Sequence, residues 1–213
     1  IWGRRLKLVG YADSATERAI ATERSAAFVD INAVGRVMAA AWNRGLHLSE
    51  LKSTAKGIGL AFTGSNAVAV LQDAAGGVDG SKVARSEEEA IAISKQISES
   101  ELCSVCAADS TLLLIKPHAV SKGVTADIIG ALCDAGLVVC GVWMIHMDVE
   151  QSENFFSVYK GILKEYSQSV AELASMPCVV MDIRNEAGTA HEVLRHLCGP
   201  YDVEIARYVR SAS

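Results

Sequence analysis

The sequence predicts an α+β protein made of two consecutive halves, each reading strand–helix–strand and then strand–helix. Three observations predict it. Half of the 213 residues are hydrophobic and 21% are charged, the balance of a chain that folds around a core and does not stay disordered. Residues 25–34 (SAAFVDINAV) and 111–120 (TLLLIKPHAV) are both apolar strands running into a polar pair and then Ala-Val. Residues 37–45 and 128–136 are both amphipathic helices closed by a glycine, Gly45 and Gly136, as helix C-termini prefer.

The remaining elements follow in the same order in both halves, the pattern expected of an internal repeat. A strand follows each glycine, at 46–51 and at 137–147. A third strand at 58–62 matches 178–183. A helix at 65–75, ending in Gly76-Gly77, matches 187–198, ending in Gly199-Pro200. The halves differ between their second and third strands. The first has only Ser53-Thr-Ala-Lys56 there, whereas the second has residues 148–176. These read as a helical pair: Asp148 is a candidate N-cap with Gln151 three residues on. Phe155, Phe156, Tyr159, Ile162, Leu163, Val170 and Leu173 supply an apolar stripe. In the first half a short segment, 81–85, leads to a helix starting at Ser86. Glu87, Glu88 and Glu89 in its first turn predict a capping box reinforced by the helix dipole. Residues 99–109 read as a linker.

Composition excludes several functions. A net charge of −5 argues against a nucleic-acid-binding surface and against steering onto anionic membranes. No apolar run approaches the length that crosses a bilayer, so a soluble protein is expected. The start, Ile1-Trp2-Gly3-Arg4-Arg5, is neither an initiator Met nor a signal peptide, which leaves room for a fragment. The six cysteines are Cys103, Cys106, Cys133, Cys140, Cys178 and Cys198. Four of them fall in apolar strand or helix patterns, where free thiols pack as small hydrophobes in a reducing, cytosolic compartment. Cys103-Ser-Val-Cys106 has redox or half-zinc-site spacing, but no second Cys/His pair lies nearby, and no metal site is expected.

One segment carries chemistry. In residues 115–120 (IKPHAV) a strand delivers Lys116 at its end, Pro117 stops the strand, and Gly123 precedes a helix. An ammonium beside oriented helix N–H groups is a sensible phosphate seat, although most strand-end lysines are simply solvated. Residues 112–123 (LLLIKPHAVSKG), 176–181 (MPCVVM) and 194–200 (LRHLCGP) resemble the nucleoside diphosphate kinase family. The resemblance is strong over 109–210 and faint over 22–97. Residues 116–121, 158–161 (VYKG) and 204–207 (EIAR) are similar to the second copy in the family's two-copy flagellar branch. Residues 4–11 (RRLKLVGY) resemble the last strand of the β-rich module that precedes the first copy in that branch.

The resemblance implies a ferredoxin-like βαββαβ fold with an antiparallel sheet, in tandem. It gives 1–21 as the end of the β-rich module and a linker, 22–98 as a degenerate first copy, 99–109 as a linker, and 110–213 as a second copy incomplete at its C-terminus. It implies phosphoryl transfer through a phosphohistidine, in which positioning and cationic side chains carry the catalysis. Lys116 falls on the family's phosphate-contacting lysine and Arg195 on a phosphate-holding arginine. Phe156 stands where the family has a tyrosine near the nucleophile, Tyr201 where it has a phosphate-binding threonine, and His118 where it has an aspartate. The family's Asn-x-x-His-Gly, which carries the nucleophile, has no match up to Ser213, and none of His146, His191 or His196 has that setting. No catalytic residue is therefore assigned. In the first copy Asp30 replaces the lysine and Gln72 the arginine, and an acidic residue at a phosphate seat repels the ligand.

Three functions are implied. The first is a catalytically inactive scaffold inside ciliary and flagellar doublet microtubules, in the cytoplasmic cytoskeleton. Its partners would be tubulin and other axonemal inner proteins, with no nucleic acid, membrane or required cofactor. The second is a working kinase, should the whole protein carry the histidine segment. The third is a nucleotide-binding module without turnover, with Mg-ATP held at Lys116 and Arg195. An exposed lysine and a helix-surface arginine without any ligand is the plain alternative for those two residues.

Overall fold

The computed structural model describes residues 23–101 and 109–199; the expectations for 1–21, for Tyr201 and for most of the 99–109 segment lie outside the described residues. Among the described residues seven strands form one antiparallel sheet in the order β4-β1-β3-β2-β6-β7-β5. They are β1 (Glu23–Val29), β2 (His47–Thr54), β3 (Gly57–Gly64), β4 (Lys82–Val83), β5 (Thr111–Ile115), β6 (Val138–Ile145) and β7 (Cys178–Arg184). The α+β class and the antiparallel sheet are as the sequence predicts. The first four strands have the order 4-1-3-2 of a βαββαβ sandwich, and the last three repeat it as second, third, first.

Eight α-helices are described: α1 (Val34–Trp42), α2 (Ala67–Ala74), α3 (Glu87–Glu99), α4 (Pro117–Ser121), α5 (Thr125–Asp134), α6 (Val149–Phe156), α7 (Tyr166–Leu173) and α8 (Ala190–Cys198). Pleat alternation decides what each strand offers them. Ala27 and Val29 of β1, Leu60 and Phe62 of β3, and Val179, Met181 and Ile183 of β7 point to one side of the sheet. They join Val37, Ala41, Leu71, Ile129, Leu132 and Leu194 from the helices in one continuous core that runs through both halves. On the opposite side Ala26, Phe28 and Ala61 meet Ala84, Ala90, Ile93 and Ile97 in a smaller core beneath α3. Fully burying a side chain such as Ile97 contributes roughly 1.5–3 kcal/mol. Gly59 makes room for it, since a Cβ there would lie 2.6 Å from Ile97 Cγ1.

The halves join through corresponding elements. β2 pairs with β6 at Lys52 and Trp143, and the buried Ser53 hydroxyl accepts from the Val142 N–H at 2.9 Å. α1 packs on α5, where Gly35 lets the Ile129 side chain come within 3.2 Å of where a Cβ would stand. Gly123 lies under the Trp42 indole; a Cβ there would fall 1.9 Å from the ring, and its φ of +73° is left-handed.

Several local expectations need correction. Strand 46–51 extends to Thr54 and turns directly into β3, so residues 53–56 complete a hairpin. At α3 the Ser86 hydroxyl caps the Glu89 N–H at 3.2 Å, but the Glu89 carboxylate takes the Arg85 N–H at 2.9 Å, so the box does not close on Ser86. At α6 it does close: Asp148 accepts from the Gln151 N–H at 2.8 Å, and Gln151 accepts from the Asp148 N–H at 3.0 Å. The apolar stripe through 155–173 is not a core face. Val170 and Leu173 are buried, but Phe155 at the end of α6 is 42% exposed, and Ile162, 78% exposed, lies in the turn between α6 and α7. Cys133, Cys140, Cys178 and Cys198 are all free thiols. Cys178 is buried as expected, whereas Cys133 and Cys198 sit on exposed helix faces.

Candidate functional site

The strand end that carries Lys116 forms as the sequence predicts. Pro117 occupies the first position of α4, where a missing N–H costs nothing, and Lys116 is the residue before it, with extended φ and ψ. The Lys116 side chain therefore leaves β5 beside the start of a helix. It does not stand alone there. Its ammonium lies 3.4 Å from Glu172 Oε2, on α7, and the other Glu172 oxygen contacts Nδ1 of His118. One carboxylate from the inserted helical pair thus gathers both residues singled out at 116 and 118.

Burial by itself would raise the Glu172 carboxyl. The hydrogen bond from His118 and the Lys116 cation outweigh that and hold it below the ordinary carboxylate value. Glu172 is thus an anion fixed at the lysine, in the place where the family resemblance expects a phosphate oxygen. Sequence reading missed it. The signal was the i to i+4 spacing with Gln168 on one helix face, too common to single out one carboxylate.

The other predicted residues are placed differently. Arg195 is exposed in the last turn of α8, with no ion pair or side-chain hydrogen bond among the described residues. Phe156, half-buried at the end of α6, meets Phe155 edge-on at 5.2 Å and brings no hydroxyl to the cluster. No hydrogen bond or ion pair among the described residues links Arg195 or Phe156 to Lys116. Just beyond Lys116, residues Pro117, Val120 and Ser121 line a hollow of about 300 Å³. Trp42, His47 and Met144 line it too, so it lies at the junction of the halves. Among the described residues no three His, Cys, Asp or Glu side chains come together as a metal site, and no helix is long and apolar enough to cross a membrane.

The corresponding positions in the first half are fastened internally. Asp30 accepts from the backbone N–H and side-chain amide of Asn32, at 2.9 and 2.8 Å, and caps the 3-10 turn Ile31–Ala33. Gln72 donates from Nε2 to the Ala84 carbonyl at 3.0 Å, which ties α2 to the segment after β4.

Comparison with known proteins agrees with the geometry. The family model described as "Nucleoside diphosphate kinase" matches residues 109–211. Rat "Nucleoside diphosphate kinase homolog 7" is 42% identical over 100 residues, covering 47% of this chain and 25% of that protein; the mouse protein is 41% identical over the same length. The chain thus spans about a quarter of these relatives. The nucleoside diphosphate kinase of Histophilus somni is 31% identical over 98 residues, covering 46% of this chain and 67% of the enzyme. A crystal structure of the Aquifex aeolicus nucleoside diphosphate kinase aligns with a TM-score of 0.42 at 26% identity, over 47% of this chain and 69% of that one. With a kinase of that family matched at 31% identity over two thirds of its length, the chain belongs to the nucleoside diphosphate kinase family.

Proposed function

We propose that this protein is a catalytically inactive, nucleoside-diphosphate-kinase-like scaffold of ciliary and flagellar doublet microtubules, built from two kinase-like copies and bound to tubulin and neighbouring inner proteins. The observation that carries it is the use, as internal fastenings, of positions that the family resemblance assigns to phosphate contact. Asp30 caps a turn, Gln72 ties down the segment after β4, and Lys116 is held by Glu172. A phosphoryl-transfer site needs cations free to follow developing charge. A lysine already facing a carboxylate is poorly placed for that, whereas fastened positions suit a part that must stay rigid. The continuous sheet and core, with the join at Lys52 and Trp143, support the same reading. The axoneme as the place rests on the resemblance of residues 116–121, 158–161 and 204–207 to the family's two-copy flagellar branch.

The test uses the native protein with its whole chain. Incubation with γ-labelled ATP and Mg²⁺ should leave no acid-labile phosphoryl adduct on any histidine and produce no transfer to a diphosphate. The same protein should co-sediment with doublet microtubules. A phosphohistidine overturns the proposal.

Arg195 favours a second reading, nucleotide binding without turnover, because its guanidinium is exposed and unpaired among the described residues. There Lys116→Ala abolishes ATP binding and Glu172→Gln strengthens it. If neither changes ATP binding, the phosphate-seat idea fails.

A further inference from the structure

Helix α3 has no counterpart in the described part of the second half, and the proposed function leaves it unused. It lies across the outward face of β1 and β3, held by Ala90, Ile93 and Ile97. Its last turn is tied to β2: the Ser98 hydroxyl donates to Glu50 Oε1 at 2.8 Å, and Lys52 Nζ donates to the Ser98 carbonyl at 3.0 Å. Short of that tie the helix stands off the sheet and leaves a trough of about 560 Å³. Ala61 and Thr63 of β3 floor it, and these short side chains keep it deep. Arg24, paired in register with Thr63, stands beside the floor, and Ile91 and Lys95 line the helix side.

The trough is lined by two cations, Arg24 and Lys95, and one carboxylate, Glu50, in a chain whose net charge is −5. Arg24 is exposed and has no hydrogen bond or ion pair among the described residues. Lys95 reaches only Glu99, at 3.7 Å, with both side chains more than two-thirds exposed, a pair of little strength. Glu50, the acidic residue in the lining, accepts from the Ser98 hydroxyl and keeps its charge, so the two cations outnumber it by one. Two features fit a chain better than a small ion. Ile91 is 52% exposed at the rim. Ser49 is the extra residue of a bulge between the Leu48–Phe62 and Glu50–Ala61 pairs, so it has no partner opposite it in β3.

We infer that the trough between α3 and the outward face of β1, β3 and β2 docks an acidic, extended peptide segment of a partner protein. Arg24 and Lys95 receive its carboxylates, Ile91 packs against an apolar side chain, and the Ser49 bulge offers backbone hydrogen bonds. An Arg fork beside an ammonium matches carboxylates by charge and shape. A free inorganic anion would use the two cations and leave Ile91 and the bulge idle. This inference does not depend on how the second half treats nucleotides.

Fluorescence anisotropy of the full chain with a dye-labelled Glu-Glu-Ile-Glu-Glu peptide at low ionic strength tests it. The acidic peptide should bind more tightly than its Gln-Gln-Ile-Gln-Gln counterpart and should weaken as salt is added. Arg24→Glu and Lys95→Glu should each weaken it about fivefold or more, and Ile91→Ser about threefold. Lys116→Ala should leave it unchanged. All four substituted positions are exposed or half-exposed, and matching thermal melts would show that the variants remain folded. Failure of the acidic peptide to bind, binding unaffected by the Arg24→Glu/Lys95→Glu pair, loss with Lys116→Ala, or full competition by inorganic phosphate at equal concentration each overturns the inference.

Discussion

Residues 23–101 and 109–199 build the same strand order with different uses for the same places. At the end of the first strand, one half has Asp30 capping a turn and the other has Lys116 facing Glu172. Between the second and third strands, one half has a tight hairpin at Ala55-Lys56, and the other has α6 and α7, which deliver Glu172. The first half covers its outward sheet face with α3. In the second, Leu112 stays 56% exposed on that side. The difference teaches that the sheet and its helices keep their order while the groups at these places change, because a cap, a side-chain hydrogen bond or an ion pair holds each one. Packing along the shared core is the part both halves keep.

The largest test asks whether the two halves are one cooperative unit. Leu60→Ala in the first half and Met181→Ala in the second should each destabilise by about 2–5 kcal/mol, since both side chains are fully buried. Both should lower a single calorimetric transition. Two transitions, each moved by only one variant, would show that the halves unfold separately. Next is the contact of Trp42 on Gly123. Gly123→Ala combines a left-handed φ with a clash against the indole, and should cost about 2–4 kcal/mol by thermal denaturation. Ser53→Ala strands the buried Val142 N–H at the strand junction, a loss of about 1–3 kcal/mol in urea titration.

Smaller effects separate the halves themselves. Asp148→Ala removes a closed capping box from α6 and should cost about 1 kcal/mol. Asp30→Ala removes a cap from only a three-residue turn and should cost less in the same assay. The second half's cluster should be acid-sensitive. The Glu172 carboxyl is held below its ordinary value of 4.5, so its stabilisation is complete above that pH and is lost as pH falls through the lower folded value. Glu172→Gln should flatten that acid-side loss of stability, whereas Asp30→Asn should leave it in place.

Much of the fold was legible because apolar periodicity and glycine stops are local. The pattern at 111–120 gave a strand and a following helix, and Asp148 with Gln151 gave a cap that forms as expected. Lys116 was legible as a strand-end cation next to Pro117. Other elements misled for physical reasons. The stripe through 155–173 has helical spacing, yet spacing does not say whether a face meets the sheet or solvent. Phe155 faces solvent at the end of α6, and Ile162 falls in the turn between the helices, on no helix face at all. Glu89 had capping-box spacing, yet its carboxylate found the Arg85 N–H in place of the Ser86 N–H.

The sequence by itself determined the α+β class, the repeated order of elements, the helix ends and the lysine at the end of β5, since each depends on residues within one or two turns of chain. Only the tertiary structure decided that β2 and β6 meet in one sheet, that Gly123 lies under Trp42, that Glu172 closes on Lys116 and His118, and that α3 leaves a trough over β3. Those contacts join residues tens of positions apart, and chain distance carries no information about which charge or cavity will lie opposite until the core has fixed the strands in register.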